Sequence, residues 1–182
     1  MISTTSHGTS QSLLCAKAWL MNLPSAFKVI SAGLEMSIQD LPGRMIGKGV
    51  PRSGPMDPIA FSIGNFLVGN QRETEGLEII VVPGLPACFR FLSSADIAVT
   101  GREVTVSLNE VEVAMWSRLS VPPETMLQIT ASPGGNDGGL RAYLLVRGGF
   151  PKIPPYLESK STSVGIGGYQ ACRISCKVHQ IF

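Results

Sequence analysis

From Phe27 to Val146, short apolar runs recur about every ten residues, and nearly all of them close on glycine, proline or asparagine. That spacing suits strands and leaves no room for long helices. Phe27 and Val29, extending to Ile30, make a first strand that turns at Ser31-Ala32-Gly33, and Met36 and Ile38 alternate with polar neighbours in a second. Leu77 to Val82 is a continuous apolar run stopped by Pro83-Gly84, the length of a strand covered on both faces. Cys88–Phe91, Ile97–Val99 and Val104–Leu108 follow, and Asn109-Glu110 turns the last of these into Val111–Met115 as a hairpin. Leu127 with Ile129, and then Arg141–Val146, complete the set. The expected fold is mainly β with one central α-helix, an antiparallel barrel or sandwich.

The one helix closes the stretch Gln39–Asn70. Its first part, with Pro42-Gly43, Gly47, Gly49, Pro51 and Ser53-Gly54-Pro55, is an irregular loop. Asp57 then supplies an N-cap and Pro58 a first helical residue that needs no N–H. Ile59, Ile63, Phe66 and Leu67 recur at helical spacing and predict the buried face, and Gly69-Asn70 supplies the stop. A constrained loop leading onto a helix start predicts outward N–H groups able to hold an anion or carboxylate. The plainer alternative is that the glycines only turn the chain and the helix only fills a core.

At 182 residues the chain has room for one domain with a substantial core. It is 44% hydrophobic and only 15% charged, which predicts some surface covered by neighbouring domains. A net charge of +2 without any basic run excludes nucleic acid as the expected partner. No apolar run approaches a membrane span, so no membrane is expected either. The four cysteines do not form a disulfide pattern; Cys88, inside a strand, predicts a buried thiol, and a reducing cytoplasm fits this usage. Cys172, Cys176 and His179 offer three donors with no fourth nearby, so no metal site is expected. The histidines are His7 and His179, which argues against a Ser-His-Asp hydrolase, and no P-loop is present.

Five stretches in order, QDLPGR, GVPRSGPMDP with the helix ending LVGN, GLEI, RAYLLVRGGF and SKSTSVGIGGYQ, resemble the carboxyltransferase family. That family includes urea carboxylase, allophanate hydrolase subunit 2 and one of the 5-oxoprolinase subunits. The resemblance covers about Pro24 to Gln170 and implies a cyclophilin-like β-barrel domain. It implies transfer of CO2 from carboxybiotin to urea or a related amide, with allophanate as the product from urea. Biotin would sit on a separate carrier domain, and ATP would be used by a separate biotin carboxylase domain. The boundaries expected are a linker or disordered segment at 1–23, the N-terminal half of the carboxyltransferase domain at 24–170, and an aberrant tail at 171–182. The tail departs from the family pattern after Gln170. The chain is therefore expected to be truncated and inactive alone, with a second half of the domain as partner.

The positions matching the family's motifs are Gln39, Asp40, Arg44, Ser53, Gly54, Met56, Asp57, Asn65, Glu78 and Arg141. The resemblance assigns catalysis to Arg44, Ser53 and Asp57, and substrate binding to the rest. Arg44 suits a bidentate clamp on a carboxylate, and its alternative is a solvated loop charge. Asp57 reads first as a helix cap and second as a base, and Ser53 as a turn residue or a substrate contact. Asp40 either orients Arg44 or accepts loop N–H groups. Glu78 is either an edge residue or a buried, paired carboxylate, and Arg141 is expected at a strand entrance facing solvent. Glu158 stands where the family has glycine, which costs about 1 kcal/mol if the backbone there has positive φ. Two alternatives remain beside the urea reading: a 5-oxoprolinase-type subunit completed by a partner chain, and a truncated, non-catalytic binding module.

Overall fold

The computed structural model describes residues 27–44, 51–132, 140–163 and 179–181. Its elements are β1 (Phe27–Ala32), β2 (Glu35–Gln39), α1 (Pro58–Leu67), β3 (Gly76–Val81), β4 (Ala87–Phe91), β5 (Ala95–Gly101), β6 (Val104–Leu108), β7 (Val111–Val113), β8 (Leu119–Val121), β9 (Met126–Ala131), β10 (Leu140–Val146) and β11 (His179–Ile181). The strands form two antiparallel sheets. Sheet A has the order β11-β1-β4-β9-β6-β7, and sheet B the order β2-β3-β10-β5-β8. Mainly β structure with one helix is what the sequence predicts. Among the described residues no ladder closes the two sheets into a single barrel.

Alternation along each strand places the core between the sheets. Phe27, Phe89, Phe91, Leu127 and Ile129 from sheet A meet Met36, Ile38, Leu77, Ile79, Val99 and Leu144 from sheet B, all fully buried or nearly so. Phe27 anchors this layer, with ring centroids 5.5 Å from Phe89, 5.4 Å from Phe91 and 6.0 Å from Phe150. Sheet B is covered on its other face as well. There Ala98, Tyr143 and Leu145 pack against Ala60, Phe61 and Val68 on or just beyond α1, with Phe61 edge-on to Tyr143 at 5.7 Å. Each large side chain removed from water here contributes about 1.5–3 kcal/mol.

Of the apolar face read from sequence, Leu67 packs against the second cluster, but Ile59, Ile63 and Phe66 turn outward. Ala60, Phe61, Gly64 and Asn65 are its buried residues, whereas Ile59 is 72% and Phe66 81% exposed. The reason is distance. A Cβ on Gly64 would stand 2.4 Å from Leu145 Cδ2 and 2.9 Å from Thr100 Oγ1, so small residues let the helix lie directly on β5 and β10. Thr100 Oγ1 donates to the Ala60 carbonyl at 2.8 Å and fixes that contact.

Other expectations shift by small amounts. β1 continues through Ser31 to Ala32 across a bulge, and the turn follows at Gly33, whose φ is +69°. The Asn109-Glu110 hairpin forms with both residues at positive φ, 47° and 69°, and joins β6 to β7. Cys88 is half-buried rather than buried, and that burial raises its thiol pKa. Residues 179–181, which the sequence sets apart as part of the tail, pair with β1 through Val29 and His179. Residues 1–23 lie outside the described residues.

Candidate functional site

The motif residues gather at two adjoining corners on the helix side of sheet B. The first is built where β2 runs out into Asp40–Arg44. Asp40 Oδ1 accepts hydrogen bonds from the Ser159 and Ser161 hydroxyls, both at 2.6 Å, and Oδ2 accepts from the Lys160 N–H at 2.6 Å. The Arg44 guanidinium donates to the Tyr156 carbonyl at 3.3 Å, to Ser163 Oγ at 3.0 Å and to the Ser161 carbonyl at 2.9 Å, with the Tyr156 ring 5.2 Å beneath it. Gln39 Nε2 donates to Ser37 Oγ at 3.0 Å, while its Oε1 accepts from the Gly54 N–H. All three side chains are buried, Arg44 completely. Residues 156–163 are thereby stitched to the end of β2.

Arg44 thus occupies neither position considered from sequence. It is not a solvated loop charge, and its donors already face backbone carbonyls and a serine instead of an open carboxylate site. The turn it holds carries strain, with Leu157 at φ 49° and Glu158 at φ 63° between the bridged Tyr156 and Ser159. A non-glycine residue in that region costs about 1–2 kcal/mol.

The second corner holds the Pro51–Asp57 loop on sheet B. Glu78 on β3 stands opposite Tyr143 on β10, and Arg141 lies two residues from Tyr143 on the same face. Glu78 Oε2 accepts from the Met56 N–H at 2.8 Å, and Oε1 from Arg141 Nη1 at 2.8 Å. The Tyr143 hydroxyl accepts from the Asp57 N–H at 2.8 Å and in turn hydrogen-bonds Glu78. Asp57 Oδ1 caps α1 by accepting from Ile59 and Ala60, both at 3.0 Å. Ser53 Oγ accepts from the Arg44 N–H at 2.7 Å, and the Ser53 N–H returns to the Arg44 carbonyl. Ser37 pairs opposite Glu78, so the corners share a border.

One expectation fails here. The N–H groups of Ser53, Gly54, Met56, Asp57, Ile59 and Ala60 are all taken by this chain's own acceptors. Among the described residues, Ser53 to the helix start therefore presents no outward N–H cradle for an anion. What faces outward is Met56, 71% exposed, beside the exposed Asp57.

Electrostatics separate the second corner from the first. Burial raises the Glu78 pKa, outweighing the Met56 N–H, Arg141 and Tyr143, which each favour the charged form. Burial and the neighbouring Glu78 charge push the Tyr143 hydroxyl up. The Arg141 side chain is 33% exposed and the Glu78 side chain only 10%, so a part-exposed guanidinium covers a buried, paired carboxylate. A carboxyl with a raised pKa can exchange a proton, and the guanidinium alongside it can hold an anion.

Asn65 stands apart. It is fully buried, its amide donates to the Thr74 carbonyl at 2.7 Å, and its Oδ1 accepts from Asn70, so it ties off the helix end. Tyr143, Tyr156 and the serines at 159 and 161 are structural partners that the sequence reading did not name. For Tyr143 a signal existed, because it shares a strand face with Arg141 at a spacing of two. Cys172 and Cys176 lie outside the described residues, and His179 is described only by its backbone in β11.

Comparison with known proteins agrees with this architecture. The profile of the family described as "Carboxyltransferase domain, subdomain A and B" matches residues 48–177, more than half of the chain. The chain belongs to this carboxyltransferase domain family. It is 46% identical over 155 residues to the "Putative urea carboxylase" of Emericella nidulans, covering 83% of this chain and 12% of that protein. To a 5-oxoprolinase subunit of Escherichia coli it is 32% identical over 148 residues, covering 79% of this chain and 44% of that protein. Among solved structures, Kluyveromyces lactis urea carboxylase superposes with a TM-score of 0.75 at 33% identity, covering 93% of this chain and 15% of that one. The chain thus spans a small part of these fungal proteins and less than half of the bacterial subunit.

Proposed function

We propose that this chain is part of a biotin-dependent carboxyltransferase that moves a carboxyl group from carboxybiotin onto urea, with allophanate as product. The observation that carries the choice of acceptor is the identity of 46% with the Emericella nidulans relative against 32% with the 5-oxoprolinase subunit. Working partners on this reading are a biotin carboxylase domain that uses ATP, a biotin carrier domain and the second half of the carboxyltransferase, all in the cytoplasm. The catalytic unit contributed here is residues 24–170.

Carboxybiotin, when bound, supplies the activated carboxyl group. The second corner fits it: Arg141 is part-exposed and cationic for a carboxylate, and exposed Met56 offers an apolar seat beside it for a ring. The acceptor nitrogen must give up a proton as it gains the carboxyl group. Glu78, with its raised pKa, is on this reading the side chain that holds that proton, with Arg141 on Oε1 and the Met56 N–H on Oε2 keeping it oriented. Gln39, Asp40, Arg44, Ser53 and Gly54 act on this reading as the frame that holds the loop, and Asp57 as the cap that ends it.

The test places residues 24–170 in the corresponding position of the Emericella nidulans relative and measures biotin-dependent ATP cleavage. Stimulation by urea and not by 5-oxoproline is expected. Glu78→Gln in that chimera should lower the urea-stimulated rate by about 10²–10³-fold, the range of general acid–base catalysis. A folded chimera without urea stimulation, or one that answers to 5-oxoproline, would refute the assignment.

A further inference from the structure

Helix α1 is apolar on both sides. No charged residue occurs from Pro58 to Gln71. Its inward face fills the second hydrophobic cluster. Its outward face carries Ile59 at 72%, Ile63 at 41% and Phe66 at 81% exposure, and Met56 at 71% extends the row just before the cap. Other exposed apolar side chains, such as Leu34, Leu85 and Val111, stand on separate strands and turns. A helix that is hydrophobic all round belongs to a buried layer of a larger protein, and ten residues are too few to cross a bilayer. The row is also rigid. Its base is fastened by the Met56 and Asp57 N–H groups to Glu78 and Tyr143, so little freedom is lost when something packs on it.

We infer that this outward face docks the second β unit of the carboxyltransferase domain. The family is described by two subdomains, and the bacterial 5-oxoprolinase subunit carries more than half its length beyond the 44% that this chain covers. The partner surface is apolar and poor in charge, because a charge buried against this uncharged row would have no counterpart. Docked there, the second unit sits beside the Met56 end of the helix and walls the Glu78–Arg141 corner. The inference rests on the reading that the chain works within a carboxyltransferase, and not on which acceptor it uses.

The experiment puts the photoreactive residue p-benzoylphenylalanine at position 66 of the chimera described above, with the same residue at Val111 on sheet A as a control. After irradiation, the position 66 cross-link is expected within the second unit of the carboxyltransferase domain, and Ile59→Glu should reduce its yield at least tenfold. A cross-link to the biotin carboxylase domain, to the carrier domain or to a second copy of the chain would overturn the docking. So would a yield unchanged by Ile59→Glu, or one no greater than at position 111. Urea-stimulated turnover is read separately on the same protein. Turnover lost with the cross-link intact removes the functional reading alone, and turnover retained with the cross-link elsewhere removes only the docking.

Discussion

Two acid–arginine corners lie side by side on this protein, and they are opposites. At Asp40 and Arg44, both side chains are buried and the carboxylate accepts from two serine hydroxyls and a backbone N–H. The guanidinium there is spent on carbonyls and a serine. At Glu78 and Arg141 the two charges meet directly, one oxygen holds a loop N–H, and burial still leaves the carboxyl with a raised pKa. The same residue types yield a fully hydrogen-bonded seam in one place and an ion pair with a raised carboxyl pKa in the other. A residue that matches a motif in sequence can therefore serve the fold, and a perturbed pKa, not motif membership, is what distinguishes the second corner.

The sharpest way to break this contrast is Asp40→Ala, which takes the carboxylate acceptor from two buried serine hydroxyls and a part-buried N–H. At about 1–3 kcal/mol for each, partly relieved by relaxation, it should cost about 3–5 kcal/mol in urea denaturation. A loss below about 1 kcal/mol would mean the seam is dispensable. Tyr143→Phe comes next. It frees the Asp57 N–H and one contact of Glu78, and should cost about 1–2 kcal/mol while Tyr143's packing against Phe61 persists. An unchanged denaturation midpoint would show that the hydroxyl does not hold the loop.

Glu78→Gln tests the electrostatic half of the comparison through pH. Because the folded-state pKa is raised above its ordinary 4.5, the folded protein binds more protons than the unfolded chain across that window. The wild type should therefore lose stability as pH rises from the ordinary carboxylate range through the raised value, and Glu78→Gln should abolish that slope. Asp96 runs the other way. Hydrogen bonds from Ser120 and Arg118 lower its pKa to about 2, so its contribution is present above 3.8 and disappears as pH falls towards 2 in both proteins. Equal slopes in wild type and variant as pH rises above the ordinary carboxylate range would contradict the assignment of Glu78. The smallest expected change is Arg141→Lys, within about 1 kcal/mol of wild type by thermal unfolding, since Arg141 is part-exposed and lysine keeps the positive charge beside Glu78. The planar fork is lost, so any effect should show as a raised KM for the carboxyl donor in the chimera rather than a changed melting temperature.

Much of the fold was legible because turns and alternation are local. The hairpin at Asn109-Glu110 and the Asp57 cap each needed only neighbouring residues. The helix face was misjudged for a reason that sequence hides. Ranking by size selects Ile59, Ile63 and Phe66, whereas lying flat on a sheet demands Ala60 and Gly64. The site was harder still. Arg44 and Asp40 are satisfied by residues 156–163, more than a hundred positions away, and no local pattern announces such a partnership. Glu78 looked like an interruption in an apolar run until β10 brought Tyr143 opposite it and Arg141 alongside.

The seat of α1 has a consequence for synthesis. The surface the helix lies on comes from Thr100 on β5 and from Tyr143 and Leu145 on β10. At about 5–20 residues per second, Leu145 leaves the ribosome roughly 4–16 seconds after Leu67. Throughout that interval a short helix without a charge on either side has nowhere to lie. The nascent chain is then at its most adhesive, and the outward row of Ile59, Ile63 and Phe66 stays so after β10 arrives, until something covers it.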